Sequence, residues 1–258
     1  MSSEWHTLIW PLAGSLFDAA VAVIALRHGL LRRLPLFAVY LASIALADFI
    51  RLSSLISAGF SSHFYFWSYW VTQVPLLILR GLIVAEICRV AFSKHSGVWK
   101  MCRVILGIVA VVLCSHAVVA AWNNQHHVRA FVAALERGLE FAILVTLVLA
   151  LAFMRYYLIP IDRLTALVSA GLIFYSAVQV INNEFLFNHR HAFDPIYSAI
   201  VVNSFVISML IWLVAVWRPI PAQAPAPVLL HARAYDDMMP EMNLRLRQLN
   251  DRLLELLR

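Results

Sequence analysis

Seven separate stretches of this chain are apolar for about 20 residues or more, the length an α-helix needs to cross the hydrocarbon of a bilayer. Their limits are 8–26, 34–57, 66–91, 101–121, 130–153, 162–186 and 196–217. No other feature narrows the possible folds as much. Where water is absent, a backbone must satisfy its own N–H and C=O groups, and separate apolar runs of this length can do so only as helices. The remaining composition agrees: 62% of the residues are apolar and 13% charged, with mean hydropathy +0.81. Soluble domains carry roughly twice that share of charge.

The order of the loops sets an expected orientation. Arg27, Arg32, Arg33, Arg89, Lys94, Lys100, Arg103, Arg155 and Arg163 flank the first, third and fifth connections, while the alternate connections hold only Arg129 and Arg190. Basic residues collect on the cytosolic side, so the N-terminus is expected outside and the C-terminus inside. The net charge of +6 is read in the same way, and nucleic acid is not expected as a partner. "MSSEWHT" lacks the basic start of a cleaved leader and the glycine of a myristoylation site, so the first span is expected to be retained. "HFYFWSYW" (63–70) reads as an aromatic belt at the outer interface. Pro11, Pro35 and Pro195, the last behind a capping Asp194, fall near first turns, whereas Pro75 lies inside the third span, where a kink is expected. Cys88, Cys102 and Cys114 have no metal-ligand spacing, and no disulfide is expected.

Three domains follow: a seven-helix transmembrane domain over 1–217, a Pro/Ala linker over 218–229, and a cytoplasmic amphipathic helix over 230–258. In the last, Met239, Met242, Leu246, Leu249, Leu253 and Leu256 repeat at 3-4-3-4-3, an a/d seam. Five arginines and five acids over 231–258 leave it about neutral, which disfavours electrostatic docking on lipid. Two readings stay open: a helix lying under its own bundle, or one that pairs with a second copy or a protein partner through 239–256.

Charges in the spans need a reason, since each costs at least ~2.5 kcal/mol at the bilayer centre. Asp18 and Arg80 fall at similar depth, roughly 15–18 Å into helices running the same way, and are expected to form a midplane ion pair. The other polar residues share the outer half: Asp48 and Arg51; His116; Glu136, Arg137 and Glu140; Gln179, Asn182, Asn183 and Glu184; Asn203 and Ser204. Glu136 and Glu140 (i,i+4) share a face, as do Asp48 and Arg51 (i,i+3). Asp48, Arg51, His116, Glu136, Glu140, Gln179, Asn182, Asn183 and Asn203 are therefore the candidates for an outward polar pocket. The spans hold six acids and three arginines, so three acids are expected to be protonated, hydrated or bound to a cation. Glu86, alone in the dry inner half, is expected to meet Arg89.

Known chemistry is mostly missing. The only lysines, Lys94 and Lys100, lie in a loop, which rules out a Schiff base to retinal. His116 has no second intramembrane histidine to share a haem. His126, His127, His189 and His191, on two outer loops, are a weak metal alternative. No HExxH, GxSxG, Walker A or GxGxxG occurs, and no cofactor is predicted.

The stretches "FYFWSYW" (64–70), "AEICRVAF" (85–92), "LERGLEF" (135–141) and the "WRP" exit (217–219) into a Pro-rich linker and short charged helix together resemble a loose group of uncharacterised bacterial seven-helix inner-membrane proteins. The resemblance implies the topology and a multi-pass place in the bacterial inner membrane, and brings no activity. The expectation is thus an all-α, seven-helix membrane bundle, N-out and C-in. The favoured role is a receptor-like (sensor-like) or scaffold protein whose outer pocket takes a small polar ligand, a cation or a proton. A membrane enzyme or redox subunit using the outer carboxylates and His116 is the alternative, and a transporter the third.

Overall fold

The computed structural model describes residues 4–59, 62–93, 96–122, 127–188, 194–217 and 232–256, with the side chains at 4–10, 96, 127–129, 184–188, 194–198 and 232–238 outside the description. The described residues are helical, with no strand: α1 (Glu4–Arg27), α2 (Leu30–Arg33), α3 (Pro35–Ala58), α4 (His63–Ala91), α5 (Ser96–Trp122), α6 (His127–Tyr156), α7 (Arg163–Asn188), α8 (Asp194–Val216) and α9 (Ala232–Leu256). Among the described residues, five segments are long and apolar enough to cross a membrane: Pro35–Ala58, Gly97–Trp122, Ala130–Tyr156, Arg163–Asn183 and Ala199–Val216. The chain is an integral membrane protein of the all-α class.

The helix boundaries follow local chemistry. Gly29 (φ 83°) makes the left-handed turn between α1 and α2 that a residue with a Cβ resists. Pro35 opens α3 at the position where its missing N–H costs nothing. The Ser62 hydroxyl accepts the Tyr65 amide at 3.0 Å and caps α4. Asp162 accepts the Thr165 amide at 3.3 Å at the start of α7, and Arg33 reaches the same carboxylate at 3.7 Å. Pro11, Pro75 and Pro240 are all carried inside helices.

Six long helices form a closed ring, each packed on the next: α1, α3, α4, α6, α7, α8 and back to α1. α5 stands outside it, packed chiefly along α6, and the apolar part of this helix is almost wholly uncovered by protein. At the ring's centre Phe37, Tyr40 and Trp212 meet edge-on, with Phe37–Trp212 and Tyr40–Trp212 ring centroids at 5.4 and 6.0 Å. The Trp212 indole donates to the Val168 carbonyl at 3.2 Å and lies against the bare backbone of Gly171. Glu86 does not turn to Arg89 alone. Its two carboxylate oxygens accept the amides of Leu36 and Phe37 at 2.9 and 3.1 Å, so α4 caps the start of α3. The free amides of a first turn attract a carboxylate more strongly than a solvated arginine does.

α9 packs on α5. The Gly97 amide donates to Asn250 Oδ1 at 2.6 Å, and a Cβ on Gly97 would come within 2.7 Å of the Asn250 carbonyl oxygen. Of the seam, Leu246 is buried and Leu253 packs against Gly97, while Leu256 is exposed.

Candidate polar site in the helix ring

Antiparallel neighbours bring the end of α3 beside the start of α4, and the start of α6 beside the end of α7. Polar residues placed near those helix ends can therefore meet, provided that they lie on the inward face. On α4 the buried stripe Gln73, Leu77, Arg80, Val84 and Ile87 repeats every three to four residues, which turns Gln73 and Arg80 into the ring. On α7 the corresponding stripe carries Tyr175, Ser176, Gln179 and Asn182.

The deepest contact is an ion pair between Arg80 and Glu140, which are 5% and 0% exposed. Arg80 Nε donates to the Tyr40 hydroxyl at 3.0 Å, and its guanidinium carbon lies 4.8 Å from the centre of the Tyr175 ring. The second oxygen of Glu140 accepts the Ser176 hydroxyl at 2.6 Å. Gln179 donates to the Tyr175 hydroxyl at 2.6 Å. Four helices thus satisfy one buried charge pair, as an interior of low dielectric requires.

A second chain of contacts leads from this pair towards α1. Gln73 donates to Glu136 at 3.2 Å, one turn before Glu140 on α6. Arg51 donates to Gln73 Oε1 and to Thr72 Oγ1, both at 2.9 Å, stacks over Tyr69 at 4.6 Å, and approaches Asp48 at 3.8 Å. The buried carboxyl of Asp18 lies beside that of Asp48. Ionised carboxylates are acceptors only, so two such groups can bond one another only through an added proton.

The expected Asp18–Arg80 pair does not form: Arg80 is taken by Glu140, and Asp18 meets Asp48. Depth along a helix fixes the level of a residue but not its direction around the axis, and here the two face different neighbours. His116 is exposed on α5, the helix outside the ring, and contributes nothing to the network. Asn203 is exposed and donates to the Ala199 carbonyl of its own helix at 2.8 Å. Ser204 is buried beside it and donates to its own helix, at the Val201 carbonyl. Arg137 is exposed, Asn182 buried and Asn183 half-buried. The side chains of Glu184, His126, His127, His189 and His191 lie outside the described residues. Among the described residues no three His, Cys, Asp or Glu side chains converge as a metal set.

Tyr40, Thr72, Gln73, Tyr175 and Ser176 belong to the network and were not singled out by sequence. A signal existed for three of them. Gln73 lies two turns before Arg80, Tyr40 two turns before Asp48, and Ser176 one turn before Gln179, each on the face of a residue already marked.

Comparison with known protein families, curated proteins and solved structures finds no match to this chain.

Proposed function

We propose that this is a receptor-like multi-pass membrane protein with seven spans, α1, α3, α4, α5, α6, α7 and α8, whose polar ring site takes up a proton or a small cation. The distribution of basic residues supports an N-out, C-in orientation, with the network nearer the outer face and α9 beneath the bundle. One observation carries the reading. Among the described residues, the contacts traced above join the four carboxyl groups of Asp18, Asp48, Glu136 and Glu140 to the two guanidinium groups of Arg51 and Arg80. Two negative charges are left to be neutralised inside a membrane bundle, and protons or a metal cation of low charge are the species that can do it. The Asp18–Asp48 contact, at the α1 end of the network, is where an added proton would be held. A cation would compete for the same oxygens.

The measurement is infrared difference spectroscopy of the purified protein in lipid nanodiscs across a pH step, alongside calorimetric titration with sodium, potassium and calcium chlorides. A protonated-carboxyl band should titrate in the wild type and be lost in Asp18→Asn. A chain that shows neither a titrating band nor any saturable cation heat would defeat the proposal. Reporter fusions after residue 217 test the orientation separately.

A further inference from the structure

Because α5 stands outside the ring and follows α6 more closely than α4, a groove opens between α4 and α5 with α6 as its floor. Its volume is about 440 Å³, within the usual range for small-molecule sites. Its lining is almost entirely aliphatic: Leu77 and Leu82 from α4, Leu106 and Leu113 from α5, Leu139 and Ile143 from α6. Two glycines help to make it. A Cβ on Gly107 would meet no atom within 4 Å, and Gly81 faces only the tip of Leu139 at 3.5 Å.

Arg103 is the one charged residue among those lining the groove, and it lies at the end near the start of α5, beside Trp99. It is exposed, and among the described residues no carboxylate lies within ion-pair distance of it. Lys100, one turn before Arg103, is also exposed. The groove runs along α5 from Arg103 to Cys114, roughly 16 Å, which is about half the ~30 Å hydrocarbon core. A slot one monolayer deep, aliphatic along its length and ending on an unpaired arginine and a tryptophan, has the shape and charge of one leaflet of lipid.

We infer that the α4–α5–α6 groove holds one acyl chain of an anionic phospholipid, with its phosphate on Arg103. The inference takes from the reading above only that these helices lie in a bilayer; it needs neither the network nor the sidedness. Arginine suits the role because its long stem packs along the groove while its fork reaches the phosphate at the interface.

The test is native mass spectrometry of the full chain in detergent, titrated with dioleoyl phosphatidylglycerol and, in parallel, with dioleoyl phosphatidylcholine. One phosphatidylglycerol per chain is expected to bind about fivefold more tightly than phosphatidylcholine, the effect of one basic residue at an anionic headgroup. Arg103→Gln should erase that difference. Gly107→Leu, whose Cβ meets no atom within 4 Å and whose side chain would occupy the slot, should remove the bound lipid while circular dichroism shows the helices intact; Ala110→Phe serves if Gly107→Leu does not fold. Equal binding of both lipids with no response to Arg103→Gln overturns the inference, as does full occupancy in a folded, groove-filled variant. A wild-type chain that stays in solution without detergent would instead sink the membrane reading.

Discussion

The Arg80–Glu140 pair allows the sharpest calculation. Glu140→Leu removes one ion pair and the Ser176 hydrogen bond and leaves the Arg80 guanidinium buried, with Tyr40 as its remaining hydrogen-bond acceptor. Three estimates of the loss agree. Two charge-assisted hydrogen bonds at ~1.5–3 kcal/mol each give roughly 3–6 kcal/mol. Two unit charges ~4 Å apart attract by about 4 kcal/mol at an effective dielectric of ~20. Breaking one side of a buried pair typically costs ~3–5 kcal/mol. The single substitution should therefore lower stability by about 4 kcal/mol. Arg80→Met alone should cost a similar amount, because Glu140 is then the stranded charge. The double variant Arg80→Met/Glu140→Leu should fall within ~1 kcal/mol of the wild type or exceed it, since an apolar replacement spares both desolvation costs. The assay is reversible unfolding in mixed micelles of lipid-like detergent and dodecyl sulfate, read by tryptophan fluorescence, with the coupling taken from the double-mutant cycle. A coupling energy below ~0.5 kcal/mol would show that Arg80 and Glu140 do not depend on one another, and the account of the ring's centre would fall with it.

Three smaller perturbations test the packing around that centre. Ser169 is fully buried with no partner for its hydroxyl among the described residues, so Ser169→Ala should leave the fold unchanged and raise stability by about 1 kcal/mol in the same unfolding assay. Gly171→Ala would place a Cβ 2.3 Å from the Trp212 indole nitrogen; it should cost roughly 1–3 kcal/mol and shift the tryptophan emission as the bond to Val168 is lost. Glu86→Ala strips the amides of Leu36 and Phe37 of their acceptor and should cost about 2 kcal/mol, with faster hydrogen exchange confined to the first turn of α3.

The sequence made the helices legible because length and apolarity act along one dimension. Pro35 at the head of α3 and the long apolar runs need no knowledge of neighbours. The polar site was legible only in part. Spacing placed Asp48 and Arg51 on one face, where they approach to 3.8 Å, and likewise Glu136 and Glu140, because i,i+3 and i,i+4 neighbours follow from a single helix. Partners on different helices depend on how each helix is rotated, and periodicity reports rotation only when one side is markedly more polar. α4 offered few clues of this kind, so Arg80 was assigned to Asp18 by depth alone. Beyond Arg103, α5 is mostly apolar, and nothing within it told that His116 faces away from the network. Glu86 shows a related limit: its partners are backbone amides, which no residue identity advertises.

Ring closure between α1 and α8 has a consequence for biosynthesis. The guanidinium of Arg80 and the carboxylate of Glu140 emerge from the ribosome before the residues that shield them, Tyr175 and Ser176 on α7 and, behind Tyr40, Trp212 on α8. A nascent chain halted after α6 would present a charged seam to whatever flanks the translocation channel. The part of the polypeptide that follows α6 therefore serves as the cover for ionic groups laid down earlier, and premature termination there would release a protein already threaded through lipid but still open along one side.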